Sequence, residues 1–433
     1  MRIEDMIIIS TDDHNIEPPD MFVNHAPKAL LDDMPKIVVK DGMEFWTLEG
    51  NMLPNLANNA VVGRPDEQLG FEPTSYAQMR KGCYDVDARC DDMAADGILA
   101  GLNFPSFPGC AGQNLFRMND HDLALKILQV YNDWHIDQWC GSHPDRFIPT
   151  AMIPLWDMHL AAKEIARVKA KGCHSISVLP APIPVGLPSW HNDYWDPMWA
   201  ACEEHDMVVN MHISDSTKAV PGPDTPVEAF FTCMNLSLYS TAVDLVYAEA
   251  LQKFPSVKIA LSEGGAGWAA NALERMDFTN RRHHVWTRSD FHGKTPSELF
   301  RERFITCIIS ADRTGIVQRE YIGLDNMTWE NDFPHCESNW PHSPEVLWEI
   351  ISDIPDEHID KITHLNAMRL YKFDPFSIRP REKCTVGALR EEAKHVDLTP
   401  LEVGGIPPKH DAGKVTLADV SKQLREAYNL QLT

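Results

Sequence analysis

The chain is poor in basic residues. It carries 39 Lys and Arg against 63 Asp and Glu, a formal net charge of -24 over 433 residues. A surface of that sign repels phosphate backbones and anionic lipid, which argues against nucleic-acid or membrane partners. It does not exclude an anionic substrate, because a bound metal sets the field inside its own pocket. No long apolar run opens the sequence. Arg2, Glu4 and Asp5 precede only the apolar residues 6–9, too short for a secretory or membrane-spanning segment, and a cytoplasmic protein is expected. Paired cysteines are lacking. Cys83, Cys90, Cys110, Cys140, Cys173, Cys202, Cys233, Cys307, Cys336 and Cys384 include no C-x-x-C, so neither a zinc ribbon nor a redox dithiol is indicated and they read as reduced, mostly buried residues. There is no Walker A loop, no H-E-x-x-H and no G-x-S-x-G. Gly264-Gly265-Ala266-Gly267 lacks the G-x-G-x-x-G spacing.

What is present is a recurring short apolar strand followed by an amphipathic helix. Residues 7–9, 98–104, 147–153, 175–179, 207–211, 257–261, 304–309 and 327–329 read as eight strands. Helical patterns cover 120–143, 158–171, 195–205 and 237–253, and another begins at 268. Eight such units predict a closed (β/α)8 TIM barrel, an α/β fold with right-handed crossovers, rather than an open doubly wound sheet. The barrel is expected over 1–374. Residues 20–80 form an inserted lid or small sheet after the first strand. Residues 375–433 form a C-terminal extension packing on the barrel or on a neighbouring subunit, with a helical stretch near 417–430.

The polar residues fall where chemistry is expected in such a barrel. Asp12, His14, His212, Glu263 and Asp332 each follow an apolar strand, and the C-terminal strand ends of a barrel converge on one mouth. Asp12 and His14 share one side of an extended strand and offer a carboxylate and an imidazole together, a usable pair of metal ligands. Asp13 points the other way, suited to capping or orienting. Glu17 lies three residues on, as a further ligand or a support behind one. Glu263 is followed by Gly264-Gly265, which permits close backbone approach, and it also suits a helix cap. In Asn331-Asp332-Phe333-Pro334-His335, Asp332 can bind metal, act as general base, or both. His335 lies on the loop at the same mouth, within reach of substrate or metal, and is a further candidate ligand. His342, Trp340 and Arg369 are further candidates near substrate, although Arg369 also suits anchoring of the closing helix.

The order D-x-H, strand-end His, strand-end E-G-G and strand-end N-D-F-P-H resembles the amidohydrolase-related metal enzymes, kin of aminocarboxymuconate-semialdehyde decarboxylase within the amidohydrolase superfamily. Asp145-Arg146-Phe147-Ile148, Trp195-Asp196-Pro197-Met198-Trp199, Leu273-Glu274-Arg275-Met276-Asp277 and Asn366-Ala367-Met368-Arg369-Leu370-Tyr371 are similar to its later segments. The resemblance implies a divalent metal at the C-terminal mouth, with Asp12, His14, His212 and Asp332 at the ligand positions. There are two departures. Asp12 stands where the family's decarboxylases begin H-x-H, and Glu263 where they carry a sixth-strand histidine. Two carboxylates in place of two nitrogens make a harder site, so Zn, Fe or Mn, as one ion or two, enters consideration. The activity implied is a metal-dependent hydrolase or decarboxylase of a small organic substrate, with Asp332, Glu263 and His335 as catalytic candidates. Two alternatives remain: an O2-dependent oxygenase with a dinuclear Fe or Mn/Fe centre, or a catalytically silent partner subunit of an active paralogue. A homo- or hetero-oligomer is expected.

Overall fold

The computed structural model describes residues 1–54, 57–70, 73–213, 222–401 and 413–428. Its main sheet is parallel throughout and is built from β1 (Ile9–Asn15), β5 (Ala100–Pro105), β6 (Phe147–Ile148), β7 (Ala151–Met152), β8 (Ser175–Val178), β9 (Val208–His212), β10 (Lys258–Ser262), β11 (Phe304–Ile308) and β12 (Met327–Trp329). The spatial order is β6-β5-β1-β12-β11-β10-β9-β8-β7. Its two edges, β6 and β7, are consecutive in the chain and separated only by Pro149 and Thr150. The ring therefore closes through the covalent chain, and the expected third strand, 147–153, is one strand in two pieces. Proline has no N–H to give the ladder, so pairing lapses there. The freed Pro149 carbonyl accepts the Ser175 hydroxyl at 3.1 Å.

Alternate strand residues serve two cores, as the pleat requires. Val208, Ala260, Ile305 and Cys307 point inward with Ile7 and Ile9. Val209, Met211, Ile259, Leu261 and Ile308 face the surrounding helices. One of those helices covers the stretch Val227–Val246, which has the length and hydropathy of a membrane span. Here it breaks at Asn235 into Val227–Met234 and Leu236–Val246, and the latter buries Leu238, Ala242, Leu245 and Val246. The pattern expected as one helix over 237–253 thus ends at Val246, with a separate turn at Ala250–Lys253.

The first strand differs from expectation. Its hydrogen-bonded part begins at Ile9, so Asp12 and His14 lie inside it rather than after it. It also carries one extra residue. Ser10 pairs with Gly101 and Asp13 with Asn103, a bulge between them. Inward parity runs Ile7, Ile9, Thr11. Beyond the bulge it passes to Asp12 and His14, the re-aiming that bulges produce beside functional sites.

Within the segment between β1 and β5, β2 (Lys36–Lys40), β3 (Met43–Leu48) and β4 (Asn51–Pro54) form a three-stranded antiparallel sheet. After the barrel, the helix Val386–Glu392 docks at the N-terminal segment, with the Val386 N–H bonded to Met6 O at 2.9 Å.

Candidate metal centre

Three strand ends and one loop bring the donors together. His212 ends β9 on the inward parity of Val208 and Asn210. Its Nδ1–H donates to the Ile213 carbonyl, which leaves Nε2 as a lone pair toward the barrel axis. Glu263 follows β10 and Asp332 follows β12. Both adopt left-handed backbone conformations, φ 59° and 57°.

The loop carrying Asp332 is laced onto β1. Asp332 N–H donates to Asp12 O at 2.8 Å and His14 N–H donates to Phe333 O at 2.7 Å. The Asn331 and Phe333 amides are taken by Ser10 Oγ and Asp13 Oδ1. Asp13 thus faces away from the donor set and orients the loop, in a space kept by Gly101, where a Cβ would sit 2.0 Å from Asp13 Oδ2. Arg89, fully buried, donates to the carbonyls of His14 and Gly82.

His14 Nε2 and His212 Nε2 stand 3.1 Å apart. Asp12 Oδ1 is 3.5 Å from His14 Nε2, and Asp12 Oδ2 is 3.4 Å from His212 Nε2. Glu263 Oε2 is 3.1 Å from His212 Nε2, and Asp332 Oδ1 is 3.4 Å from His14 Nε2. His335 stacks on His14 with its Nδ1 2.9 Å from Asp332 Oδ1. Atoms that share one ion at about 2.1 Å stand roughly 3.0–3.5 Å apart.

The electrostatics describe a set of groups that wants a cation. Both oxygens of Asp12 and both of Asp332 are buried with no hydrogen-bond partner among the described residues. Burial, then neighbouring acids, pushes Asp12, Glu263 and Asp332 well above the usual carboxylate range. Burial, then neighbouring bases, holds His14 well below the ordinary histidine value, and burial takes His212 and His335 down to about 3. Neutral imidazoles facing costly carboxylates are the donor chemistry of a divalent site, and the residues present fit one.

Two residues at the cluster lie outside the set of candidates read from the sequence. Cys110, on the loop after β5, has its sulfur within 4.8 Å of donor nitrogens of both His14 and His212. Nothing in its spacing distinguishes it from the other nine cysteines. Glu330 follows β12 directly, fully buried, and accepts the Glu263 N–H with both oxygens, at 3.1 and 3.0 Å. Its signal was available as the acid two residues before Asp332.

Four candidates lie elsewhere. The Glu17 carboxylate accepts the amides of Ser106 and Phe107, at 3.0 and 2.8 Å, and is no part of the donor set. Trp340 packs with Ile16, Val62, Tyr76 and Phe333 and donates to Asp92 O. His342 is exposed. Arg369 binds the Asp325 carbonyl and Asn326 Oδ1, before β12 starts and so at the end of the barrel opposite the mouth. It anchors the closing helix.

A family model described as Amidohydrolase matches residues 45–373. A gamma-resorcylate decarboxylase of Rhizobium sp. (strain MTP-10005) is 24% identical over 351 residues, 73% of this chain and 96% of that relative. Among solved structures, an amidohydrolase from Mycobacterium avium subsp. paratuberculosis K-10 superposes with a TM-score of 0.65 at 20% identity, covering 84% of this chain and 99% of the other. A 5-carboxyvanillate decarboxylase from Novosphingobium aromaticivorans, with manganese and 3-methoxy-4-hydroxy-5-nitrobenzoic acid bound, gives 0.61 at 17% identity over 84% and 97% of the two chains.

Proposed function

The chain belongs to the amidohydrolase family, and from that premise we propose that it is a metal-dependent decarboxylase of a small hydroxylated aromatic acid. The observation that carries the metal is the set of four orphaned carboxylate oxygens of Asp12 and Asp332 beside two imidazole nitrogens 3.1 Å apart. The relatives that act on resorcylate and carboxyvanillate support the decarboxylase reading over hydrolysis. Zinc, iron and manganese all accept a mixed nitrogen and carboxylate set, and the neighbour with manganese bound supports manganese.

His14, His212, Asp12 and Asp332 would hold the ion, with Glu263 completing the set. When bound, the cation supplies positive charge that stabilises negative charge developing on a substrate oxygen. The protein does the rest. His335 stacks on His14 and flanks Asp332, restricting how the Asp332 carboxyl turns. Asp332 Oδ2 carries the proton that replaces the lost carboxylate. As the carbon–carbon bond breaks, its electrons take up that proton, carbon dioxide leaves, and solvent returns a proton to Asp332.

The test is carbon dioxide release from a panel of hydroxybenzoates, with metal content measured on the same samples. Asp332→Asn is expected to lower turnover by roughly 10²–10⁴-fold, and His212→Ala to lose metal. Full metal and full turnover in both variants would sink the assignment. Substrate-dependent oxygen uptake, with two ions per chain, would move it to the oxygenase alternative.

A further inference from the structure

Cys110 is a surprising neighbour for two histidines aimed at a hard cation. Its sulfur and one ring nitrogen from each of His14 and His212 lie within 4.8 Å of one another, and the Nε2 atoms of those two histidines face the unpartnered oxygens of Asp12, a fully buried side chain. The loop that carries Cys110 is held from three sides. Glu17 binds the amides of Ser106 and Phe107 where the loop leaves β5. Ser177 Oγ–H, on β8, donates to the carbonyl of Cys110 itself. Gln113 Oε1 accepts the Ala111 amide at 2.9 Å. Gly109 and Gly112 take left-handed turns on either side, φ 81° and 76°. At Gly109 a Cβ would meet Gln113 Oε1 at 2.5 Å, so the turn and the glutamine that fixes it were built together. Glu17, Ser177 and Gln113 are all buried. That framework also gives Glu17 a purpose that ligation does not.

We propose that Cys110 supplies a thiolate sulfur to the cation held by His14 and His212. The inference rests on the metal-centre reading above. Coordination forms one metal–sulfur bond, breaks the S–H bond and releases its proton to solvent, with no change of oxidation state. A sulfur donor shifts preference from manganese toward softer zinc and cobalt. It would also add a donor to the ion from the loop after β5.

The probe is cobalt(II) added to the metal-free full-length protein. The expected spectrum has a sulfur-to-cobalt charge-transfer band in the near ultraviolet. The band is absent in Cys110→Ser, retained in Cys336→Ser, and the cobalt stoichiometry is the same in all three. Zinc affinity in Cys110→Ser is expected to fall about 10–100-fold while manganese affinity changes little. A second measurement needs no variant: cobalt or zinc protects Cys110 from alkylation by iodoacetamide, read by peptide mass, while Cys233 reacts equally with and without metal. Stoichiometric cobalt with no sulfur band and no protection overturns the role of Cys110 and leaves the metal centre standing. No cobalt bound at all overturns both.

Discussion

Asp332 and Glu263 both sit in left-handed backbone conformations, which an L-residue avoids unless its surroundings hold it there. For Glu263 the holding group is the Glu330 carboxylate on its amide. For Asp332 it is the Asp12 carbonyl. Strain at a strand end thus aims each carboxylate across the mouth. Gly101 answers a related demand, since it leaves room for Asp13. Gly101→Ala is expected to lower stability by about 1–3 kcal/mol, read as a shift in urea midpoint, because the Asp13 carboxylate cannot retreat without freeing the Phe333 amide. His135 allows a pH prediction away from the donor set. Its Nδ1–H donates to Thr150 O at 3.1 Å, and burial lowers it to about 4 from 6.5. The unfolded chain takes up that proton first. Its contribution is therefore present above pH 6.5 and is lost as pH falls toward 4, by at most about 3 kcal/mol. Urea melts of His135→Asn should show a shallower loss over that window than the parent protein.

At the scale of the element, the bulge in β1 is decisive. The alternation of Ile7 and Ile9 continues to Thr11, whose hydroxyl meets Thr328 at 2.8 Å inside the barrel. Unbroken, it would turn Asp13 inward and both donors outward. One extra residue reverses that. The loop after β5 is the second element that counts. Glu17→Ala leaves the Ser106 and Phe107 amides without their acceptor, at about 1–3 kcal/mol for each buried group. Hydrogen exchange at those two amides is expected to accelerate, while amides in β9 and β10 keep their protection. Equal exchange in the variant and the parent would show that Glu17 does not hold the loop.

At the scale of the whole molecule, the barrel converts eight separate strand ends into one mouth. Asp12 and Asp332 are 320 positions apart in sequence yet hydrogen-bonded through their backbones. Several acidic groups are thereby concentrated in a buried volume, which costs several kcal/mol per ion unless it is neutralised. Metal binding should therefore stabilise the fold measurably. At a free concentration about a thousand times Kd, the gain is about 4 kcal/mol. Scanning calorimetry is expected to show a lower Tm after chelation and recovery on adding manganese or zinc. A Tm indifferent to both would count against the centre.

The strand count, the helix alternation, and Asp12, His14, His212, Glu263 and Asp332 were all readable from the sequence, because hydrophobic period and strand-end polarity are local properties of the chain. Pairing Asp12 with His14 followed from the same period of two. Other features depend on what the chain meets after folding. The direction in which the Asp12/His14 pair points is decided by a bulge in the ladder with β5. Glu17 was read as a possible ligand, yet its carboxylate is taken by two amides from a different strand end. Arg369 lies 40 residues past the end of β12, and the closing helix returns it to the opposite end of the barrel. Cys110 and Glu330 enter the site through contacts with residues 67 to 102 positions away. Such contacts carry no periodic signal, and only the closed barrel decides them.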